Sequence, residues 1–389
     1  MKYDFDKIKD RRGRFACKWD VGEGELPMWI ADMDFESPEP VRRALADIAE
    51  HGVYGYVDTP PEYFEAVAGY FNRRYNAGFA PSEMVFVSGV VAAIGSMVRR
   101  LTVPGECVLI QAPVYNCFYN CILNSGRSVL SSDLVYEDGK YAIDFEDLEE
   151  KLSRPSTSLM ILCNPHNPVG KIWSREELAR IGELCKKHSV AVISDEIHCD
   201  FTAPGLKYVP FHSVSDTCAD ISVTCVSGSK TFNVAGLHAA TLIIKDGDLR
   251  YKIWRAINTE DLGEPGVFAI QSTIAAFSEC DDWVDALREY VFENRRVACD
   301  YINERIGSLK PIAAEATYLL WVDVSEVTDR SDEFTKKLRE LTGLYISAGT
   351  AYGKCGGRFV RINLATQRAR LLDGLERLRV GVEKITSEK

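Results

Sequence analysis

The chain has 389 residues, 46% of them hydrophobic and 26% charged, the make-up of a globular protein with room for two or three packed units. Its formal net charge of −11 is interspersed along the whole length, with no basic stripe or tail, so it carries no nucleic-acid footprint. The opening MKYDFDKIKDRRGRF has no apolar signal core and no run of about 18 apolar residues occurs anywhere, which argues against a membrane and predicts a cytoplasmic protein.

In chain order, short apolar runs rich in β-branched residues alternate with helical patterns. MVFVSG (84–89) leads into VVAAIGSMVRRL, CVLIQAP (107–113) into a tyrosine-rich turn, and LMILCNP (159–165) into a loop and the helix SREELARIGELCKKH. SVAVISDE (189–196) and ISVTCVSGS (221–229) continue the series. Runs that are apolar throughout predict parallel strands buried on both faces, an α/β architecture. Ser174, with Glu177 three residues on, predicts a capping box that starts a helix directly after the NPHNPVGK loop. From about residue 282 the pattern becomes one long amphipathic helix, then the strand pair YLLWVDV and RFVRINL and a closing helix, which reads as a smaller α+β unit joined rigidly to the first. The twelve cysteines are scattered singly from Cys17 to Cys355, without a CxxC pair or a Cys/His cluster, so they read as reduced, mostly buried thiols, with no disulfide framework and no metal site.

Open parallel sheets bind ligands beyond the carboxyl ends of their strands. The polar residues that follow the apolar runs are Ser88 and Gly89, Tyr115, Asn164 and Asn167, Asp195 and His198, then Ser227, Ser229 and Lys230. Asp195 ends the VAVIS run and is thereby partly desolvated, so it wants a cation such as a protonated pyridine nitrogen; taken alone it reads sooner as a strand-end aspartate capping a turn or the next helix. Lys230, in SGSKTF, is by its type alone a solvated surface charge. Its flanking serines suit a phosphate, however, and a desolvated lysine amine can form an imine.

SGVVAAIG (88–95) is a strand-to-helix turn whose free N–H groups make an anion site, although any tight turn before a helix looks similar. It is no Rossmann fingerprint or Walker A loop, and the run GTAYGKC (349–355) has the wrong spacing for the latter. Tyr115, in APVYNCF, suits a ring laid on a flat cofactor or a plain core position. Arg361 alternates with apolar neighbours in RFVRIN, where its planar fork suits either a ligand carboxylate or a structural ion pair.

NPHNPVGK, SDEIHCDF, SGSKTFNVAGL and RFVRIN, in that order, resemble the fold-type I enzymes dependent on pyridoxal 5'-phosphate (PLP), the aminotransferase class I/II superfamily. DRRGRFACKWD, MWIADMDF, GVYGY, APVYNCFY and SDEIH are similar to its cystathionine β-lyase branch, that of MalY and PatB, over about residues 3 to 380. The resemblance implies an α/β chain with the aspartate aminotransferase-like fold of PLP-dependent transferases. A large PLP-binding domain over 50–281, with a mostly parallel seven-stranded sheet, would be joined by a small α+β domain from 1–49 and 282–389.

The resemblance also implies roles. Lys230 carries PLP as a Schiff base and serves as the catalytic base, Asp195 pairs with the pyridine nitrogen, and Asn167 donates to the ring's phenolic oxygen. Tyr115 stacks on the ring and can assist catalysis, while the amides of Val90 and Val91 and the hydroxyls of Ser227 and Ser229 hold the phosphate. Arg361, together with Asn167, takes the amino-acid substrate's carboxylate. Tyr56 reaches the phosphate of the neighbouring subunit, which implies a homodimer with shared active sites. Two positions depart from the general aminotransferase pattern. His198 stands at the ring where a tyrosine is usual, as in the lyase branch, and His238 stands where an arginine usually pairs with the phosphate.

The activity implied is α,β-elimination from cystathionine or related S-substituted L-cysteines, giving pyruvate, ammonia and a thiol. The PLP-binding motifs fit two other readings as well: a PLP-dependent aminotransferase of L-amino acids, and a MalY-like regulator that acts by binding a protein partner. The branch-specific phrases favour elimination.

Overall fold

The computed structural model describes residues 3–387. Seven strands build the central sheet: β1 Met84–Val87, β2 Cys107–Ile110, β3 Ser128–Ser131, β4 Thr157–Cys163, β5 Ala191–Asp195, β6 Ser222–Val226 and β7 Ala240–Ile243. They lie in the order β1-β7-β6-β5-β4-β2-β3, and every neighbouring pair is parallel except those made by β7. This is the mostly parallel sheet expected from the apolar runs.

Successive side chains of a strand point to opposite faces, and here each face has its own core. Val108, Ile110, Leu159, Ile161 and Ile193 pack on one side, whereas Leu109, Met160, Leu162 and Val192 pack on the other. Away from the half-exposed edge strand β3 neither face meets water, so the inner strands are apolar apart from buried hydroxyls such as Ser222 and Thr224 on β6.

The helices that position the site are α1 Glu39–His51, α2 Pro61–Tyr75, α3 Val90–Leu101, α4 Arg175–Lys187, α5 Val267–Glu279, α6 Asp281–Arg305 and α7 Arg368–Ser387. Helix α4 starts where its capping box predicts: Ser174 Oγ accepts the Glu177 N–H at 3.1 Å, and Glu177 Oε2 accepts the Ser174 N–H at 2.7 Å, a cap contributing about 1 kcal/mol. Its inner face then buries Leu178, Ile181 and Leu184 against the sheet, at about 1.5–3 kcal/mol per side chain. Helices α1 and α2 both pack on α5.

The long predicted helix is α6. Beyond it stands an antiparallel sheet of β8 Lys310–Pro311, β9 Leu319–Asp323, β10 Ser347–Ala348 and β11 Phe359–Asn363, in the order β8-β9-β11-β10. Leu320, Val322, Val360 and Ile362 face α6 and α7, while Trp321 and Phe359 face the larger sheet's core. Arg361, opposite Trp321 in the register, is therefore turned toward the space between the two sheets.

A strap of irregular chain, residues 28–35, runs through that space. Asn363 Nδ2 donates to the carbonyls of Ile30 (2.6 Å) and Asp32 (2.8 Å), and Asn233 Nδ2 donates to those of Met33 (3.1 Å) and Phe35 (2.8 Å). A buried ion pair, Lys18 to Asp34 at 2.8 Å, anchors the strap from behind. All twelve cysteines are free thiols, most of them buried, and among the described residues no helix is long and apolar enough to cross a membrane.

Candidate active site

Strand register assembles the site. Cys163, Asp195 and Cys225 stand side by side across β4, β5 and β6. The segments leaving those strand ends therefore deliver Asn167, Asp195 and the run Ser227 to Lys230 into one crevice.

Of the adjacent acids that end β5, Glu196 is satisfied, accepting hydrogen bonds from Ser194 Oγ (2.8 Å), Tyr208 Oη (3.2 Å) and the Phe211 N–H (2.8 Å). Asp195 is not. Only 4% exposed, it accepts one long bond, 3.4 Å from the Ile197 N–H, and has no ion pair among the described residues. Burial pushes its acid up to about 7, although the Ile197 amide and the Lys230 charge pull it down.

Lys230 sits on a single helical turn, Gly228–Thr231, after β6. Ser227 Oγ caps the turn by accepting the Ser229 N–H at 3.1 Å and itself donates to the Ala239 carbonyl at 2.7 Å. From the far side Thr231 Oγ1 donates to the buried Asp200 at 2.7 Å, an acid that also accepts from Tyr70 and Tyr75. Lys230 Nζ donates to the Ala31 carbonyl of the strap at 2.7 Å. Burial lowers the pKa of its amine, and the nearby Arg361 charge adds to this, while Asp32 and Asp195 oppose it.

Helix α3 points its amino end at the crevice. Its N-cap is Gly89, which offers no capping side chain, so the Val90 and Val91 amides have no acceptor from their own helix. Tyr115, half-buried, packs its ring edge-on against Phe118 at 5.8 Å, and burial together with Cys117 raises the pKa of its phenol.

Arg361 is buried without a carboxylate among the described residues. Nη1 donates to Asn167 Oδ1 (3.1 Å), Nη2 to the Trp29 carbonyl (2.9 Å), and Nε is buried with no acceptor. His198 is also buried, with Nδ1 unbonded and its ring edge-on to Tyr318 at 5.8 Å. Burial, helped by the Lys230 and Arg361 charges, lowers its pKa to about 3, so the imidazole is neutral.

The crevice thus collects Lys230, Asp195, Asn167, His198, Arg361, Ser227 and Ser229, with Tyr115 and the start of α3 at its rim. Two further expected residues are exposed in this chain. Tyr56 is fully exposed in an open segment with Val53 and Tyr54, and His238 is exposed in a left-handed turn. Sequence reasoning missed the strap carbonyls of Trp29 and Ala31, because a backbone oxygen leaves no residue signature. It also missed Tyr318, whose hydroxyl donates to the Ala31 carbonyl at 3.2 Å.

A family model described as aminotransferase class I and II matches residues 26–378. The chain belongs to that family. Cystathionine beta-lyase PatB of Bacillus subtilis (strain 168) is 41% identical to this class I and II chain, over 97% of it and 100% of PatB. Protein MalY of Escherichia coli (strain K12) is 32% identical, over 96% of this chain and 97% of MalY. The crystal structure of cystalysin from Treponema denticola, which contains a pyridoxal 5'-phosphate cofactor, has a TM-score of 0.95 and 29% identity, covering 99% of this chain and 100% of that one.

Proposed function

We propose that this chain is a PLP-dependent carbon–sulfur lyase that converts cystathionine or related S-substituted L-cysteines to pyruvate, ammonia and a thiol. One observation carries the reading: the crevice holds a buried carboxylate with no cation, Asp195, and a buried guanidinium with no anion, Arg361, with the Lys230 amine in electrostatic reach of both. Unpaired buried charges of opposite sign that do not meet each other call for a ligand with a cationic group at one end and a carboxylate at the other. Full-length similarity to PatB supports a lyase over an aminotransferase.

The side chains fit PLP by their chemistry. Asp195 suits the protonated ring nitrogen, Asn167 Nδ2 the ring oxygen, and Lys230 the aldehyde carbon. The Val90 and Val91 amides and the Ser229 hydroxyl suit the phosphate, and Ser227 joins them once its hydroxyl turns from the Ala239 carbonyl. Tyr115 offers its ring face, and neutral His198 adds a polar edge without adding charge. Bound PLP supplies a cationic ring that takes up the electron pair left when a Cα proton departs.

Arg361 binds the substrate carboxylate through its unengaged edge and fixes the direction of the Cα–H bond. Lys230 Nζ, its basicity tempered by burial, accepts the Cα proton. The sulfur leaves Cβ with the C–S electron pair and is protonated to the thiol, and one water completes the release of pyruvate and ammonia. In this reading Tyr115 assists at the amine or at the leaving sulfur.

The same reading makes the protein a cytoplasmic homodimer, in which the exposed segment with Tyr56 serves the partner subunit's phosphate. It divides the chain into a large unit, 50–281, and a small one, 1–49 with 282–389, with α1 packed across the boundary on α5. The test is to give the PLP-loaded protein cystathionine without any keto acid. Pyruvate formed in many turnovers supports the lyase; a single half-reaction that stalls with pyridoxamine phosphate refutes it.

A further inference from the structure

We propose that Tyr352 is a positioning residue that holds Arg361 against the crevice wall bearing Tyr115 and so sets the affinity for the substrate's α-carboxylate. The proposal rests on reading Arg361 as the carboxylate clamp.

Arg361 is held only by two neutral oxygens, Asn167 Oδ1 and the Trp29 carbonyl, with Nε left unbonded. Two such bonds on one side leave the guanidinium plane free to tilt. The missing support is the Tyr352 ring, whose centroid lies 4.8 Å from Arg361 Cζ, within cation–π range. That ring cannot swing away. It is wedged edge-on against Trp321 at 5.5 Å and 87°, and Trp321 is stacked on Phe359 at 5.2 Å and donates its indole N–H to Tyr141 Oη at 3.1 Å.

The backbone of the same residue grips the opposite wall. The Tyr352 carbonyl accepts the Val114 N–H at 2.9 Å and the Tyr119 hydroxyl at 3.1 Å, bracketing Tyr115 in the chain. Gly353 permits the approach: with φ at +126°, a Cβ there would stand 2.6 Å from Tyr119 Oη and 3.1 Å from Ala112 Cβ. The run GTAYGKC, whose glycines resemble a phosphate loop, is thus a close-packed bridge between the two sheets.

The test compares PLP-loaded Tyr352→Leu, Tyr352→Met and Tyr352→Phe with the parent. We expect Leu and Met to raise KM for cystathionine roughly 3- to 30-fold, the span of a buried cation–π contact, with kcat within about twofold and with Phe restoring KM. Binding read from the absorbance of the loaded protein should weaken for L-alanine and stay unchanged for ethylamine, which lacks the carboxylate. An unchanged KM in both aliphatic variants, equal weakening for the two ligands, or failure of Phe to restore would overturn the proposal. If the parent forms no pyruvate while the alanine-over-ethylamine preference is still lost in the Leu variant, the lyase reading fails and the role of Tyr352 stands.

Discussion

Arg361 Nη1 lies 3.1 Å from Asn167 Oδ1, a bond that joins the small sheet to the loop leaving β4. An amide whose oxygen is taken by a guanidinium must present its NH2 group elsewhere, so this contact orients Asn167 as a donor in the crevice. One arginine therefore serves two ends of the site, the substrate clamp and the amide proposed for the ring oxygen.

Replacing Arg361 should therefore damage binding beyond the loss of one charge. Arg361→Ala is expected to lower kcat/KM by roughly 100-fold or more, mostly through KM, as truncating a buried charged contact does. Arg361→Lys should restore little, because a point charge cannot bond Asn167, the Trp29 carbonyl and a carboxylate together. Steady-state kinetics with cystathionine check both variants, and a lysine variant near parental activity would contradict the geometry.

Asp195 predicts a pH dependence in the cofactor-free protein. Its acid is raised to about 7 by burial, against about 3.9 in an unfolded chain. The folded protein thus holds this proton more tightly, and the stability tied to it is full below about pH 4 and lost as pH rises through 7. Asp195→Asn stays neutral throughout, so its stability relative to the parent should increase from pH 5 to pH 7.5. Urea denaturation at the two values measures this, and a relative stability that falls over that interval would show the carboxylate to be paired. Adding PLP at pH 7.5 should stabilise the parent more than the variant.

Lys230→Ala should leave the fold intact, since the amine's one hydrogen bond is to the Ala31 carbonyl and the turn is held by Ser227 and Thr231. Turnover should fall by at least roughly 10²- to 10⁴-fold, the usual worth of a positioned base. Mass spectrometry after borohydride treatment with PLP should find an adduct on the parent at Lys230 and none on the variant.

Gly170 ends the NPHNPVG run with φ at +71°, and an added Cβ would lie 2.5 Å from Ala314 Cβ and 2.8 Å from the Ala316 carbonyl. Its own carbonyl accepts the N–H groups of Glu315 and Ala316 at 2.8 and 2.9 Å, docking the Asn167 loop onto the chain before β9. Gly170→Ala is expected to cost about 2 kcal/mol or more, from left-handed strain plus overpacking. Denaturant midpoints report the stability, and KM for cystathionine should rise as the loop shifts Asn167.

What the amino-acid order determined by itself is the part governed by local rules. Strands buried on both faces must be apolar throughout, so five of the seven central strands are legible as runs, and the α4 cap is legible as Ser174 with Glu177. The position of a polar residue at a strand end is equally local, which is why Asp195, Asn167 and Lys230 stand out. Tertiary structure alone decided which groups lack partners. Glu196 and Asp195 are neighbours of the same chemistry, and only the packing of Ser194, Tyr208 and Phe211 around one of them leaves the other unpaired. The strap carbonyls of Trp29 and Ala31 meet Arg361 and Lys230 from segments some 200 to 330 residues away. Such contacts follow from the docking of whole elements, and no spacing within one segment encodes them.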